Sequence, residues 1–260
     1  MPWGWADDGG VAVNFGPTAH DYARYRTEFP PELFGRLAGS GIGLAGQRVV
    51  DVGTGTGVLA RGFAAGGCTV VGVDVAPALL AEAERGGGAR VSYRCAPAED
   101  TGLPGGVWDV VSAGQCWHWL DRARAAAEAR RLLVAGGALV ICYRDFSVEP
   151  GSVGGVSLEL AIAYNSDWPE VGGLVENPQW GDELAAAGFG DLHGFGFDVV
   201  VPFTHEAWRG RMRSSSGIGA TLSAERISAF DEELARLLHE RFPEEILQVP
   251  HRIQVLTGRH

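Results

Sequence analysis

The chain has 260 residues, 46% apolar and 20% charged, an ordinary globular composition that argues against disorder and bounds the fold at one or two domains. Its formal charge is −11, with no lysine among the 21 basic residues, which disfavours a nucleic-acid or anionic-membrane partner. No apolar run approaches the roughly 18 residues of a membrane span, the opening MPWGWADDGG lacks a leader's basic and apolar regions, and Cys68, Cys95, Cys116 and Cys142 stand singly, without a CxxC pair, as expected of reduced core cysteines in a cytoplasmic protein.

Residues 1 to 14 read as a polar, glycine-rich lead-in, and 15 to 38 as two short helices separated by a turn at Pro30-Pro31. The period then changes. Arg48 to Val52 is a short apolar strand ending in a glycine-rich turn, Val58 to Ala65 a helix closed by Gly66-Gly67, and Thr69 to Val73 a second strand ending on Asp74. Pro77 opens a helix running to Arg85. Val91 to Arg94 and Val107 to Ala113 are further strands. Asp121 to Leu133 is an Ala/Arg/Leu helix stopped by Gly136-Gly137, and Ala138 to Tyr143 is a fifth strand. Strands alternating with helices indicate parallel βαβ units, and continuous runs such as ALVICY suit a sheet covered on both faces. Beyond Arg144 the rhythm loosens: helices are predicted at 152–164, 179–187, 206–214 and 225–241, and strands at 191–201 and 246–257. No internal repeat or linker divides the chain. A single domain over 1–260 is the reading, with a helical cap at 15–38, a ligand-binding core at 48–144 and lid insertions and last strands at 152–245.

The sharpest signal is Val49-Val50-Asp51-Val52-Gly53-Thr54-Gly55-Thr56-Gly57. Glycines at this spacing let the backbone turn tightly from strand to helix and let a ligand touch the main chain. Asp74, ending the next strand, can accept hydrogen bonds from both ribose hydroxyls of a nucleoside. Two cofactors compete. Gly55, Gly57 and Ala60 satisfy the loose dinucleotide pattern G-x-G-x-x-G/A. However, a carboxylate at Asp51, two residues before the first glycine, would repel a pyrophosphate and suits the ammonium of a methionyl group. That difference favours S-adenosylmethionine over NAD.

The segment 48–144 resembles a class I S-adenosylmethionine-dependent methyltransferase. VVDVGTGTG resembles that family's first motif, and VVGVDV its second, ending on the ribose acid Asp74 followed by Val75. APAED resembles the loop in which Ala98 and Glu99 approach the adenine, VWDVVSAGQCWHW the fourth strand, and ARRLLVAGGALVI the helix and turn before the fifth. The stretch Gln115-x-x-His118-Trp119, with FGPTAHDYARYRTEFPPEL and RSSSGIGATL, resembles the trans-aconitate-methyltransferase-like branch of small-molecule methyltransferases. One departure stands in the opening Tyr-Arg-Pro-x-Tyr-Pro pattern, which here is Tyr25-Arg26-Thr27-Glu28-Phe29-Pro30. The resemblance implies a Rossmann-like α/β fold: a seven-stranded, mostly parallel sheet with helices on both faces and a helical lid. It also implies a cofactor site of Tyr22, Arg26, Asp51, Gly53, Thr54, Gly55, Gly57, Asp74, Val75, Ala98, Glu99 and Gln115.

His118 lies just past the fourth strand's carboxyl end, in the crevice where open α/β sheets bind ligands. A neutral imidazole there could take a proton from an acceptor, or only pack against the ligand. Trp117 and Trp119 could wall the acceptor pocket and face a sulfonium, or be core. Tyr164, Trp168 and Arg213 are the expected acceptor contacts from the later segments; for the arginines 209, 211 and 213 a solvated face is the alternative to a carboxylate clamp. No His/Cys/Asp cluster has metal-ligand spacing and no G-x-S-x-G elbow appears, so neither a metal site nor a serine hydrolase is predicted. The expectation is methyl transfer to a small-molecule acid or hydroxyl in a biosynthetic pathway by a monomer or homodimer, with S-adenosylhomocysteine as product and neither nucleic acid nor membrane as partner. Cyclisation of the cofactor's own side chain, an NAD-dependent oxidoreductase and a non-catalytic binding module remain as alternatives.

Overall fold

The computed structural model describes residues 5–6, 12–13, 25, 28–166 and 178–260. Trp5–Ala6 and Ala12–Val13 pair antiparallel inside the predicted lead-in; the first helix of the predicted cap, Tyr22, Arg26 and Trp168 lie outside the described residues. The chain divides into two compact units, one of 27–144, 176–197 and 253–260, the other of 1–26, 145–175 and 198–252.

A seven-stranded sheet is built from β1 (Arg48–Val52), β2 (Thr69–Asp74), β3 (Val91–Cys95), β4 (Trp108–Gly114), β5 (Leu133–Phe146), β6 (Gly190–Thr204) and β7 (Ile246–Arg259), in spatial order 3-2-1-4-5-7-6. The pairs β1–β2, β1–β4, β2–β3 and β4–β5 are parallel. Gly136 donates to the His260 carbonyl while Ser147 donates to the Pro250 carbonyl, so β7 runs antiparallel to β5. This is the seven-stranded, mostly parallel α/β sheet that the sequence led one to expect. The order reverses between β1 and β4, the switch point where such sheets bind ligands.

In the first unit α1 (Pro31–Gly39), α2 (Val58–Ala65), α3 (Pro77–Arg85), α4 (Arg122–Leu132) and α6 (Pro178–Ala186) accompany the strands. Proline at the first position of α1 and α3 presets the helical φ where no backbone donor is needed, and Asp121 caps α4 by accepting from Arg124 N at 3.1 Å. Val49, Val50, Val110 and Leu139 are fully buried, as central strands require. The second unit holds α5 (Val153–Tyr164), α7 (His205–Arg213), α8 (Ser216–Gly219) and α9 (Ala224–Arg241). Its core is Trp208, Met212, Phe230, Leu234 and Leu238, with the buried Trp208 indole donating to Ser157 Oγ at 2.9 Å. Burying each such side chain contributes roughly 1.5–3 kcal/mol.

Two expectations are corrected. The fifth strand starts at Leu133, not Ala138, because it pairs at Leu133 with Trp108 and again at Ala138 with Val110, with an irregular stretch of its own residues 134–137, where Gly136 takes φ 78°, in between. Cys95 is exposed rather than core, because β3 is the sheet edge; Cys68, Cys116 and Cys142 are buried, and all four are free thiols. Among the described residues no helix is long and apolar enough to cross a membrane.

Candidate functional site

The turn from β1 into α2 needs a backbone that only glycine adopts readily: Gly53, Gly55 and Gly57 take φ of 61°, 55° and 77°. A Cβ at Gly53 would lie 2.6 Å from Cys116 Sγ, and one at Gly57 2.3 Å from Tyr93 Oη, so one end of the loop is pressed against the turn after β4 and the other against a β3 side chain. At Gly55, between them, nothing lies within 4 Å of the Cβ position. The middle of the loop therefore presents bare backbone to open space.

Two buried carboxylates tie this loop down. Asp74, at the carboxyl end of β2, accepts from Gly55 N at 2.8 Å through Oδ2 and from Ala76 N at 2.9 Å through Oδ1. Burial raises its pKa, offset in part by the main-chain donors of Ala76, Gly55 and Val75. Asp51 accepts from Thr54 Oγ1 and Ser112 Oγ, both at 2.7 Å. Burial pushes its carboxyl up to about 6, against the lowering by the two hydroxyls, and the charge of Asp74 adds to the rise. In the β1–β4 ladder Asp51 stands directly opposite Ser112, which is why that hydroxyl reaches it. Neutral donors hold both acids, so the loop keeps a negative field suited to a cationic ligand.

Beyond β4 the chain turns sharply. Gln115 takes φ 61°, a left-handed conformation for a non-glycine residue, and is held there from two sides. Its N–H donates to the Cys142 carbonyl at 2.9 Å and its side-chain amide to the Arg144 carbonyl at 2.6 Å. Arg144, buried, donates from Nη1 to the Glu28 carbonyl at 2.7 Å and lies over the Phe29 ring. A single 3₁₀ turn, Trp117–Trp119, follows. Trp117 is fully buried, and its indole N–H finds no hydrogen-bond partner among the described residues. His118 is half-buried; its N–H donates to Tyr143 Oη at 3.1 Å, its Nδ1 lies 2.9 Å from the same oxygen, and its ring packs on Trp119 at 4.5 Å. Glu99 accepts from Asp121 N at 3.0 Å, and Ala98 beside it is buried.

Of the residues expected at the site, Asp51, Gly53, Thr54, Gly55, Gly57 and Asp74 are brought together by the β1–α2 turn, and Val75 follows Asp74 directly. Gln115, Trp117, His118 and Trp119 form the second cluster, after β4. Tyr164 and Arg213 belong to the other unit, where their polar groups serve its own carboxylates. Tyr164 Oη donates to Glu233 at 2.9 Å, and Arg213 pairs with Glu206 at 2.8 Å and with Asp231. Sequence reasoning missed Ser112, Tyr93, Tyr143, Arg144 and Trp180. The only signal in the chain is a lone hydroxyl inside the apolar strand WDVVSAG and a Tyr-Arg pair ending the run ALVICYR. Among the described residues no group of three His, Cys, Asp or Glu could hold a metal ion.

Residues 50–141 match the profile of a methyltransferase domain family. An uncharacterized methyltransferase of Mycobacterium tuberculosis is 35% identical over 133 residues, 51% of this chain and 53% of the relative. A ubiquinone biosynthesis O-methyltransferase of Bordetella avium is 34% identical over 113 residues, 42% of this chain and 46% of the relative. The chain thus spans about half the length of these curated relatives. A protein of Anaeromyxobacter dehalogenans proposed as a type II methyltransferase superposes with a TM-score of 0.68 at 28% identity, over 90% of this chain and 98% of that one.

Proposed function

We propose that this chain, whose residues 50–141 form a methyltransferase domain of the class I, S-adenosylmethionine-dependent kind, methylates an oxygen atom of a small-molecule acid or hydroxyl compound. The observation that carries the reading is the open backbone at Gly55 with its N–H on Asp74, above a second carboxylate at Asp51. These groups fit a nucleoside carrying positive charge and would repel the pyrophosphate of a dinucleotide. When bound, S-adenosylmethionine supplies a methyl carbon already activated by its sulfonium.

The chain's own part is binding and alignment. Asp74 accepts main-chain hydrogen bonds from Gly55 at Oδ2 and from Ala76 at Oδ1, and its two oxygens keep lone-pair capacity for a ribose hydroxyl. Glu99 and Ala98 take the adenine side, and Gly53, Thr54, Gly57, Val75 and Gln115 shape the surrounding backbone. Asp51 supplies negative potential from beneath the loop. His118 and Trp119 are the proposed acceptor contacts, while the fully buried Trp117 is core. The likeness to a ubiquinone O-methyltransferase over the shared segment supports an oxygen acceptor, and the resemblance to the trans-aconitate-like branch supports an acid.

Calorimetry with S-adenosylhomocysteine and a screen of acids, phenols and amines with homocysteine-release detection test the reading. The expected result is binding together with turnover of at least one oxygen acceptor. Binding of NADH in place of S-adenosylhomocysteine, or release of methylthioadenosine as the product, would overturn it.

A further inference from the structure

The glycine loop is held by a cation as well as by its two acids. Arg61, on α2, donates from Nη1 to the Thr56 carbonyl at 2.6 Å, and the same nitrogen stands 3.1 Å from the Cβ position of Gly57. A guanidinium stays charged at any physiological pH. Alone beside the loop, it would oppose the negative field of Asp51 and Asp74. It is not alone: Nη2 pairs with Glu28 Oε1 at 2.9 Å. The Tyr93 hydroxyl, next to Gly57, lies within electrostatic reach of Arg61, Asp51 and Glu28 alike, so the three charges share one neighbourhood.

Glu28 is in turn gripped from the other side of the switch point. Its carbonyl accepts from Arg144 Nη1 at 2.7 Å, and the Arg144 carbonyl accepts the side-chain amide of Gln115 at 2.6 Å. The next residue, Phe29, is buried, with a ring atom 3.5 Å from the Cβ position of Gly114 at the end of β4. Contacts with β4 and β5 therefore fix the main chain at Glu28 independently of its ion pair with Arg61.

We infer that Glu28 is a specificity-determining residue that cancels the Arg61 charge at the glycine loop, so that the site favours the cationic cofactor over its neutral product. S-adenosylmethionine carries an ammonium, a carboxylate and a sulfonium, a net positive charge. S-adenosylhomocysteine lacks the sulfonium and is neutral overall. Loop position and loop charge are thereby separated. Arg61 supplies the hydrogen bond to Thr56, and Glu28 removes the charge that comes with it. A charge beside the loop acts on the difference between the two ligands, whereas a mechanical tether acts on both alike. Methyl transfer abolishes the sulfonium charge, so the same balance holds the product less tightly than the cofactor.

Calorimetric titration of the full chain with each ligand tests this, and no acceptor is needed, so the result stands whichever compound is methylated. Glu28→Gln keeps the carbonyl for Arg144 but leaves the Arg61 charge unpaired. S-adenosylmethionine is expected to bind this variant roughly three- to tenfold more weakly, and S-adenosylhomocysteine to stay within about twofold of the parent. The difference should fade in about 1 M salt, where the screening length is about 3 Å. Arg61→Gln also frees Thr56 and weakens both ligands, so the ratio of the two affinities is its readout. That ratio is expected to move the opposite way in Arg61→Gln and to return to the parent value when both changes are combined. Glu28→Gln alone decides the matter: equal losses for both ligands, or a ratio unchanged from the parent, would make Glu28 a structural tie only and overturn the inference.

Discussion

The two units each carry a cluster of charged side chains, and the clusters are built on opposite plans. Around the glycine loop, Asp51 and Asp74 are buried and held by hydroxyls and main-chain N–H groups. In the other unit, Arg209 and Arg213 meet Glu206 and Asp231, two cations against two anions. The first cluster satisfies its hydrogen bonds without cancelling its charge, so the negative field remains for a cationic ligand. The second cancels its own charge and has little net attraction left to offer. Burial with neutral donors marks a site prepared for a charged guest, whereas mutual ion pairing marks a strut.

The largest effects should come from the loop's backbone. Gly57→Val would force a branched side chain into a left-handed φ and onto Tyr93 Oη, for a loss of about 3 kcal/mol or more in urea unfolding. Gly55→Val meets no neighbour and should lose only about 1–2 kcal/mol of stability from the φ strain. Yet it fills the open face, so S-adenosylhomocysteine binding should fall below detection by calorimetry. If Gly57→Val binds and Gly55→Val does not unfold more easily than the parent, loop geometry is less strict than this comparison holds.

The charge left on Asp51 should be visible in the pH dependence of stability. Its carboxyl titrates near 6 when folded and near 3.8 when exposed, so the folded state holds the proton more tightly. The sign follows: this residue's contribution is most favourable below about pH 4 and is lost as pH rises through 6. A shift of this size is worth about 3 kcal/mol at most. Asp51→Asn should therefore gain stability relative to the parent between pH 4 and 7.5 in paired urea titrations. A constant difference across that range would mean that folding leaves the Asp51 pKa unshifted, and burial would not be raising it.

Asp74→Ala removes the carboxylate at the ribose position. Losing hydrogen bonds to a charged group costs roughly 1.5–3 kcal/mol, so S-adenosylhomocysteine affinity should drop by at least tenfold while circular dichroism stays native. Unchanged affinity would break the assignment of the first cluster as a prepared site.

How much of this the sequence carried depended on the range of the contact. Elements from Arg48 to Leu132 were legible because short apolar runs are punctuated by Gly, Pro and Asp at the positions where strands and helices turn. The glycine loop and Asp74 were legible for the same reason, being local. Ser112 beside Asp51 and Tyr143 beside His118 were not, since each contact depends on the register between two strands, Asp51 opposite Ser112 and Gly114 opposite Cys142. Nothing within either strand announces its neighbour. Cys95 was misread for a related reason: a strand's own pattern does not say that it lies at the sheet edge. Arg213 stood in a basic series that suggested a clamp, and only the fold brings Asp231 from α9 to meet it.

The ion-paired cluster yields the smallest and most discriminating prediction. Arg213 side-chain atoms are 16% exposed and Asp231 20%, so this pair is partly shielded from water, whereas Glu206 at 51% is screened by solvent and salt. Arg213→Ala does not orphan either acid, because Arg209 still pairs with both. The expected cost is therefore about 1–2 kcal/mol, below the 3–5 kcal/mol of a buried ion left alone. A double-mutant cycle with Asp231→Ala should return a coupling of about 1 kcal/mol, weaker in high salt. For a strut, KM for an acid acceptor in Arg213→Ala should stay within about twofold of the parent. A tenfold rise in KM with unchanged stability would show that Arg213 leaves its carboxylates to bind substrate, and the contrast between a prepared site and a self-balanced one would fail there.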